Sequence, residues 1–218
     1  MTTAQHSPLP TDSTLTTQGM APSGDGRVLL IACGALAREV VALVRMNGWS
    51  QVDLTCLPAI LHNHPEKITD AVRDAVARHR GNYRRVAVVY ADCGTGGLLE
   101  QACNEMGVEM IAGPHCYAFF DGLHRFAARE ELTAFYLTDF LTRQFDAFVW
   151  KPLGLDRHPE LLDMYFDHYE TLVYLAQTDD PVLTASARQV ADRMGLAFER
   201  RFTGYGELAT TLERWAVP

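Results

Sequence analysis

The feature that most constrains the fold is a series of short apolar segments, each followed by a turn and then by a helix-like segment. The first, RVLLIAC at 27–33, shows no polar–apolar alternation and is typical of a strand buried on both faces. The same reasoning predicts further strands at 52–57, 85–90, 108–111, 171–176 and 196–200. Such strands, separated by helices, favour a mostly parallel sheet covered on both faces.

The segments between these strands carry apolar residues at helical spacing. They predict helices at 35–46, 65–79, 97–106, 181–194 and 206–215. The predicted fold class is therefore α/β, a Rossmann-like three-layer sandwich with a mostly parallel sheet of about six strands.

Two segments depart from this alternation. Residues 1–26 are rich in Ser, Thr, Pro and Gly and contain no Lys or Arg, which predicts a disordered tail. Residues 116–170 are aromatic and helix-like, which predicts a helical insertion or cap. We therefore expect a single α/β domain over 27–218 that carries this insertion at about 116–170.

Composition excludes several classes of protein. The chain has 218 residues and a net charge of −8, whereas binding to nucleic acid calls for a basic surface. No apolar run approaches the roughly 20 residues that a membrane-spanning helix needs. Five cysteines and no recognisable export signal predict reduced thiols and a cytoplasmic protein.

Three cysteines follow predicted strands. Cys33 ends the first strand, Cys93 follows the third and Cys116 follows the fourth. The carboxyl ends of parallel strands converge on a crevice where ligands bind, so we expect these sulfurs to meet there. Thiolates are ligands of zinc and of iron–sulfur clusters, and zinc is our first choice of metal. The alternative is that each cysteine is a small buried apolar residue with an inert thiol.

Neighbouring polar residues supply the candidate catalytic groups. His115 precedes Cys116 and is expected either to complete the metal site or to orient its ligands. Asp92 precedes Cys93 and either orients a ligand or caps the following helix. His62 and His64 follow the second strand, but alternate residues of an extended segment point apart, so they are not expected to bind one ion together.

Two further loops are candidates for binding a small molecule. Gly94, Gly96 and Gly97 permit positive φ, and amides at the start of a helix can hold an anion, although a tight turn without a ligand explains them equally well. Gln177 and Asp179 follow the fifth strand, where they either contact a polar substrate or, for Asp179, cap the next helix.

Six blocks resemble a family of bacterial and archaeal proteins, the domain of unknown function 1638. They are ACGALARE at 32–39, DCGTGG at 92–97, GPHCY at 113–117, FYLTD at 135–139, GLDRHPEL at 154–161 and YLAQTDDP at 174–181. The resemblance implies a one-carbon context, since members are often encoded beside corrinoid-dependent methyltransferase systems that demethylate methylamines and betaines. It implies no catalytic residue.

Together these observations predict a metal–thiolate protein, with zinc, in corrinoid-linked methyl transfer. Three thiolates leave the fourth position of zinc open, where an incoming thiol would lose its proton and become a nucleophile for a methyl group. Whether the chain is itself a methyltransferase-type enzyme stays open. The alternatives are a metal-free module that binds a small molecule and an accessory protein that docks on a corrinoid protein or methyltransferase.

Overall fold

A computed structural model describes residues 9–24 and 26–216. Its described residues form seven strands: β1 (Val28–Cys33), β2 (Val52–Leu57), β3 (Arg85–Val89), β4 (Glu109–Met110), β5 (Ala134–Leu137), β6 (Thr171–Ala176) and β7 (Ala197–Phe202). They also form ten α-helices: α1 (Asp12–Thr17), α2 (Ala37–Met46), α3 (Ile68–His79), α4 (Leu98–Met106), α5 (Ala118–Asp121), α6 (Leu123–Arg129), α7 (Asp139–Arg143), α8 (Leu162–Phe166), α9 (Pro181–Met194) and α10 (Gly206–Ala216). Shorter helical turns lie at 34–36, 59–63, 65–67, 80–82, 146–150 and 159–161.

The first four strands form a parallel sheet in the order β2-β1-β3-β4. Strand β1 lies between β2 and β3, and all six of its residues are buried, as its unbroken apolar sequence requires. The helices α2, α3, α4 and α10 contribute to the same apolar core. The carboxyl ends of β1 and β3 therefore open on the same edge of this sheet.

The last three strands form a second parallel sheet in the order β5-β6-β7. Strand β6 lies in the centre, and helices α7 and α9 pack beside it. This sheet has a core of its own, in which Leu137, Leu172 and Tyr174 are fully buried.

The predicted α/β, Rossmann-like class with parallel strands is confirmed. The strands nevertheless divide between two sheets, whereas the sequence led us to expect one. Strand β5 lies inside 116–170, the segment predicted to be a helical insertion, because its aromatic residues obscure a four-residue strand. Apolar runs indicate which segments are buried strands, but they do not indicate which strands pair.

The prediction of a disordered tail over 1–26 is wrong for residues 9–24. Helix α1 begins after Thr11, whose hydroxyl accepts a hydrogen bond from the amide of Thr14, and Leu15 is fully buried. The carboxylate of Asp12 pairs with Arg38 and with Arg143. One buried leucine and two ion pairs hold a segment whose average composition indicates disorder. Residues 1–8 and 25 lie outside the described residues.

The residues after α1 run along the outer edge of β2. Met20 and Cys56 exchange two backbone hydrogen bonds of 2.8 Å in an antiparallel bridge. Gly19 has φ +76°, and a Cβ there would lie 2.0 Å from the Cys56 carbonyl oxygen, so only glycine fits this approach. Beyond Met20, the Asp53 carboxylate accepts hydrogen bonds from the backbone amides of Ser23 and Gly24.

No helix within residues 9–24 and 26–216 has the length and the apolar character that crossing a membrane requires.

Candidate functional site

Two of the three predicted cysteines are in direct contact. The Sγ atoms of Cys93 and Cys116 lie 3.2 Å apart, at the edge where β3 and β4 end. The backbone brings them together, since the amides of Asp92 and Cys93 donate to the carbonyls of Gly113 and Pro114 at 2.9 Å. The two loops thus pair as an extension of the sheet, and this pairing fixes the sulfur contact.

The backbone at Cys93 is strained. Its φ is +48°, a left-handed conformation that only one other non-glycine residue within the described ranges, Glu130, adopts. Such a conformation costs about 1 kcal/mol or more and persists where the surrounding structure enforces it, often at functional sites. Here it aims the Cys93 side chain at Cys116.

The pair divides into a thiolate and a thiol. The hydrogen bond from Cys116 lowers the pKa of Cys93 to about 5; burial opposes this shift, and the nearby His62 reinforces it. The same hydrogen bond, together with burial of the sulfur, raises the pKa of Cys116 well above its ordinary value. Cys93 is therefore the ionised member of the pair at neutral pH, and Cys116 donates to it.

Cys33 lies beside this pair, at the end of β1. Burial raises the pKa of its thiol to about 12, and the negative charge of Cys93 contributes to the shift. The hydroxyl of the buried Tyr90 lies next to the Cys33 thiol and has no other polar partner in the part of the chain that the structure describes. All three cysteines lie at the carboxyl-terminal edge of the first sheet, but within the described residues only Cys93 and Cys116 are in sulfur–sulfur contact, and Cys33 remains a neutral neighbour.

A cavity of about 720 Å³ adjoins the pair, and we call it the histidine–aromatic cavity. Polar rings that line it are those of His62, His64, His115, Tyr117, Tyr136 and Tyr169. It approaches the cysteines through His62, which lies close enough to Cys93 to lower its pKa, and through His115 and Tyr117, which flank Cys116 in sequence. Strand β5 of the second sheet contributes Tyr136, so both halves of the chain form the cavity walls.

The aromatic rings of the cavity are stacked on one another. His115 stacks on Tyr117 with centroids 5.0 Å apart, and Tyr117 stacks on Tyr136 at 5.3 Å. Burial lowers the pKa of His115, and the charge of Cys93 only partly offsets this. A neutral His115 can accept a proton or supply a ring nitrogen to a ligand.

Asp92 stabilises its own loop. Its carboxylate accepts hydrogen bonds from the hydroxyl of Thr95 at 2.7 Å and from the amides of Gly96 and Gly97 at 3.1 and 2.7 Å. Burial opposes the lowering of its pKa, but these hydrogen bonds outweigh it. Asp92 therefore closes the turn that precedes α4, but it does not cap this helix, which begins after Gly97 without a side-chain cap.

The three glycines of the loop have positive φ, as its sequence suggests. Gly94, Gly96 and Gly97 have φ of +87°, +64° and +85°. The amides of Gly96 and Gly97, for which an anion site and a tight turn without a ligand were equally good explanations, already donate to Asp92. The anion in this turn is thus a side chain of the protein.

The second sheet holds Gln177 and Asp179, apart from the cysteines. The buried Gln177 side chain accepts from the Asp139 amide at 2.8 Å and donates to the Leu175 carbonyl at 2.6 Å. The exposed Asp179 pairs with Arg200 at 2.6 Å, and the neighbouring Asp180, not Asp179, caps α9. Neither Gln177 nor Asp179 lines the histidine–aromatic cavity.

The residue that our sequence reasoning left out of the site is His62. We treated 62–64 as extended, but residues 59–63 form a helical turn, and His62 and His64 both line the cavity. The position of His62 after β2, on the same edge of the sheet as Cys33, is the sequence feature that could have indicated its place in the site. Within residues 9–24 and 26–216, no three His, Cys, Asp or Glu side chains are arranged as a metal ion requires.

Comparison with known proteins gives one match. No curated protein and no solved structure matches the chain. Residues 56–212 match a family model described as a protein of unknown function, DUF1638. The matched range covers most of the chain and includes Cys93, Cys116, His62 and His115, and the chain belongs to the DUF1638 family.

Proposed function

We propose that this protein binds zinc through Cys93 and Cys116 and acts in corrinoid-linked methyl transfer in the one-carbon metabolism of methylamines or betaines. The observation that carries the proposal is the 3.2 Å contact between the two sulfurs. The hydrogen bond in this contact lowers the pKa of Cys93, and the nearby His62 adds to the shift. A thiolate that is already ionised at neutral pH is ready to bind a metal.

The donor set suits zinc. Cys93 and Cys116 would supply two sulfurs, and Cys33 and the ring of His62, which influence or are influenced by the charge of Cys93, would have to move toward them to serve as a third and a fourth ligand. Zinc–sulfur bonds of about 2.3 Å in a tetrahedron separate two sulfurs by about 3.8 Å. The contacting pair would therefore open by about half an ångström, and Cys33 or His62 would turn toward it. His115 would orient the ligands or relay a proton.

Bound zinc supplies a positive charge that ionises a thiol at neutral pH and keeps it nucleophilic. The protein's own residues would exclude water and transfer protons. In this proposal the stacked rings of Tyr117 and Tyr136 would shield the site from water, and His115 would accept the proton of an incoming thiol. In this proposal the histidine–aromatic cavity holds the small-molecule substrate.

The proposed setting is cytoplasmic. All five cysteines are free, and cytoplasmic thiols stay reduced, as a thiolate site requires. The corrinoid protein or methyltransferase that we propose as a partner is suggested by the family resemblance. The chain itself is proposed to act either as the methyltransferase-type enzyme or as its accessory protein.

Zinc content tests the proposal. The full chain, purified without chelator and analysed by mass spectrometry of the elements, is expected to carry about one zinc per chain. Cys93→Ser and Cys116→Ser are each expected to lower this at least fivefold. Cys103→Ser is the matched control, because Cys103 is equally buried but lies on α4, away from the pair, and it is expected to retain the metal.

Less than about 0.2 metal per chain, both as purified and after reloading with zinc and dialysis, would overturn the proposal. Iron with acid-labile sulfide in place of zinc would instead identify the cysteines as ligands of an iron–sulfur cluster.

A metal-free binding module is the second candidate, and the histidine–aromatic cavity favours it. A cavity of this size accommodates a small organic ligand, and stacked tyrosines attract planar or cationic groups. Tetramethylammonium chloride is then expected to raise the thermal midpoint of the chelator-treated chain more than sodium chloride does at equal concentration. Tyr117→Ala should abolish this difference, and Phe202→Ala, an exposed aromatic on β7, should keep it.

A further inference from the structure

One carboxylate of the amino-terminal helix is held by two guanidinium groups from opposite halves of the chain. Arg38 of α2 donates from Nε to Asp12 Oδ1 at 2.7 Å, and Arg143 of α7 donates from Nε to Asp12 Oδ2 at 2.8 Å. The Asp12 side chain is only 12% exposed. Two guanidinium groups thus share one largely buried carboxylate.

The two arginines stand where ligands bind in α/β proteins. Arg38 follows the end of β1 by a single helical turn, and Arg143 ends α7, which begins two residues after β5. Both positions belong to the carboxyl-terminal edge of a parallel sheet. Helix α1 covers this edge, and the carbonyl oxygen of Leu15 would lie 2.4 Å from a Cβ at Gly34.

Polar atoms without a partner cluster at the same place. Four buried side-chain polar atoms lack a hydrogen-bond partner in the described ranges, and three of them are Glu39 Oε2, Thr142 Oγ1 and Arg143 Nη2. Thr142 precedes Arg143, and Glu39 follows Arg38 and lies within reach of the Arg143 charge. Buried polar atoms in folded proteins are nearly always paired, so these three indicate a polar group that the helix does not supply.

We propose that Arg38 and Arg143 form a receptor for the carboxylate of a ligand and that Asp12 occupies this receptor as a tethered substitute. A guanidinium pairs with a carboxylate through parallel hydrogen bonds, so a pair of arginines selects this group. Two acidic side chains, Glu39 and Asp139, lie near Arg143 and disfavour a doubly charged phosphate more strongly than a singly charged carboxylate. The inference is independent of the zinc proposal, since it uses none of the cysteines.

Replacement of the tethered carboxylate tests this. Asp12→Ala in the full chain is expected to lower the thermal midpoint by about 4 °C. Sodium acetate should restore at least half of that loss in a saturable way, whereas sodium chloride or sodium phosphate at equal ionic strength should not. Asp146→Ala is the control variant, because it removes the carboxylate of an exposed ion pair with Arg193. Acetate should not raise the thermal midpoint of this variant.

A second substitution locates the effect. Acetate should no longer raise the thermal midpoint when Asp12→Ala is combined with Arg143→Gln. Equal recovery with acetate, chloride and phosphate, or equal recovery in Asp146→Ala, would overturn the proposal.

The natural chain supplies an independent measurement if Asp12→Ala does not fold. Acetate, but not chloride, should then speed hydrogen exchange at the Leu15 amide, which donates to Thr11 at 2.9 Å within α1. Unchanged exchange at high acetate would overturn the proposal as well.

Discussion

The carboxyl-terminal edges of the two sheets occupy equivalent places in the fold, but their buried polar groups differ in how completely they are hydrogen-bonded. On the second sheet, both oxygens of the buried Asp139 are used: they accept from the Tyr174 hydroxyl, the Gln177 amide, and the amide and hydroxyl of Thr178. On the first sheet, the buried Glu39 keeps one oxygen without a partner in the described residues, and Cys93 is strained. A completed network stabilises a fold, whereas unpaired and strained groups are typical of a functional site.

The largest expected effect is on the completed network. Asp139→Ala should lower the free energy of unfolding by about 3 kcal/mol, because it leaves the Tyr174 hydroxyl and two backbone amides without an acceptor. Urea denaturation measures this. Asp179→Ala, at an exposed ion pair on the same edge, should change stability by less than about 0.5 kcal/mol. If Asp139→Ala lowered the free energy of unfolding by less than about 1 kcal/mol, the hydrogen-bond network of the second sheet would not be the stabilising feature that we describe.

Neutralising Glu39, the carboxyl group that lacks a partner for one oxygen at the edge of the first sheet, should stabilise the protein, whereas removing Asp139 should destabilise it. Burial raises the pKa of Glu39 to about 7, and the charge of Asp139 adds to this, while Arg143 and Arg38 oppose it. Because the pKa is higher in the folded than in the unfolded chain, the contribution of Glu39 is full below about pH 4.5 and is lost as pH rises through 7.

Glu39→Gln should therefore be more stable than the natural chain by about 2 kcal/mol at pH 8 and about equal to it at pH 4.5. Urea denaturation at pH 4.5, 6 and 8 measures the difference. A difference that does not vary with pH would show that Glu39 is paired in solution.

The strain at Cys93 should appear in a pair of substitutions. Both Cys93→Ala and Cys93→Gly remove the sulfur, but only glycine adopts φ of +48° without strain. Cys93→Gly should therefore exceed Cys93→Ala in stability by about 1 kcal/mol. Thermal and urea denaturation of the two variants compare them directly, and equal stability would argue against the left-handed backbone.

The smallest effect is expected on the other left-handed residue. Glu130 has φ +51° and follows α6, at the helix end where glycine is the preferred residue. Glu130→Gly should stabilise the chain by about 0.5 kcal/mol. Its zinc content should stay unchanged, in contrast to Cys93→Gly. A destabilised Glu130→Gly would mean that this side chain has a role that its position does not reveal.

Much of the fold could be predicted from apolar periodicity. The strands at Val28–Cys33 and Thr171–Ala176 are apolar or nearly so, Val52–Leu57 is mainly apolar, and all three are predicted within a residue. Their division into two sheets depends on contacts between distant segments, which periodicity does not encode. Helix α1 was missed because a single leucine, Leu15, anchors it, and composition averaged over 26 residues hides one residue.

The site was predicted in outline for a topological reason. Residues that follow parallel strands share one edge, and this places Cys33, Cys93 and Cys116 together from the order of strands alone. The roles of Asp92 and the glycines depend on turn geometry, in which the side chain of Asp92 takes up the amides that a ligand would need. His62 lies near Cys93 because residues 59–63 form a helical turn, and a turn this short is not indicated by the sequence.

The bridge between Met20 and Cys56 has a consequence for handling the protein. Strand β2 is the last strand on its side of the first sheet, and the amino-terminal segment covers its exposed backbone at this point. A chain shortened to begin at Arg27 would present this bare edge to other molecules, and bare edges are templates for strand addition. Oligomers that grow with concentration are therefore expected from such a truncation, even where the remaining residues fold correctly.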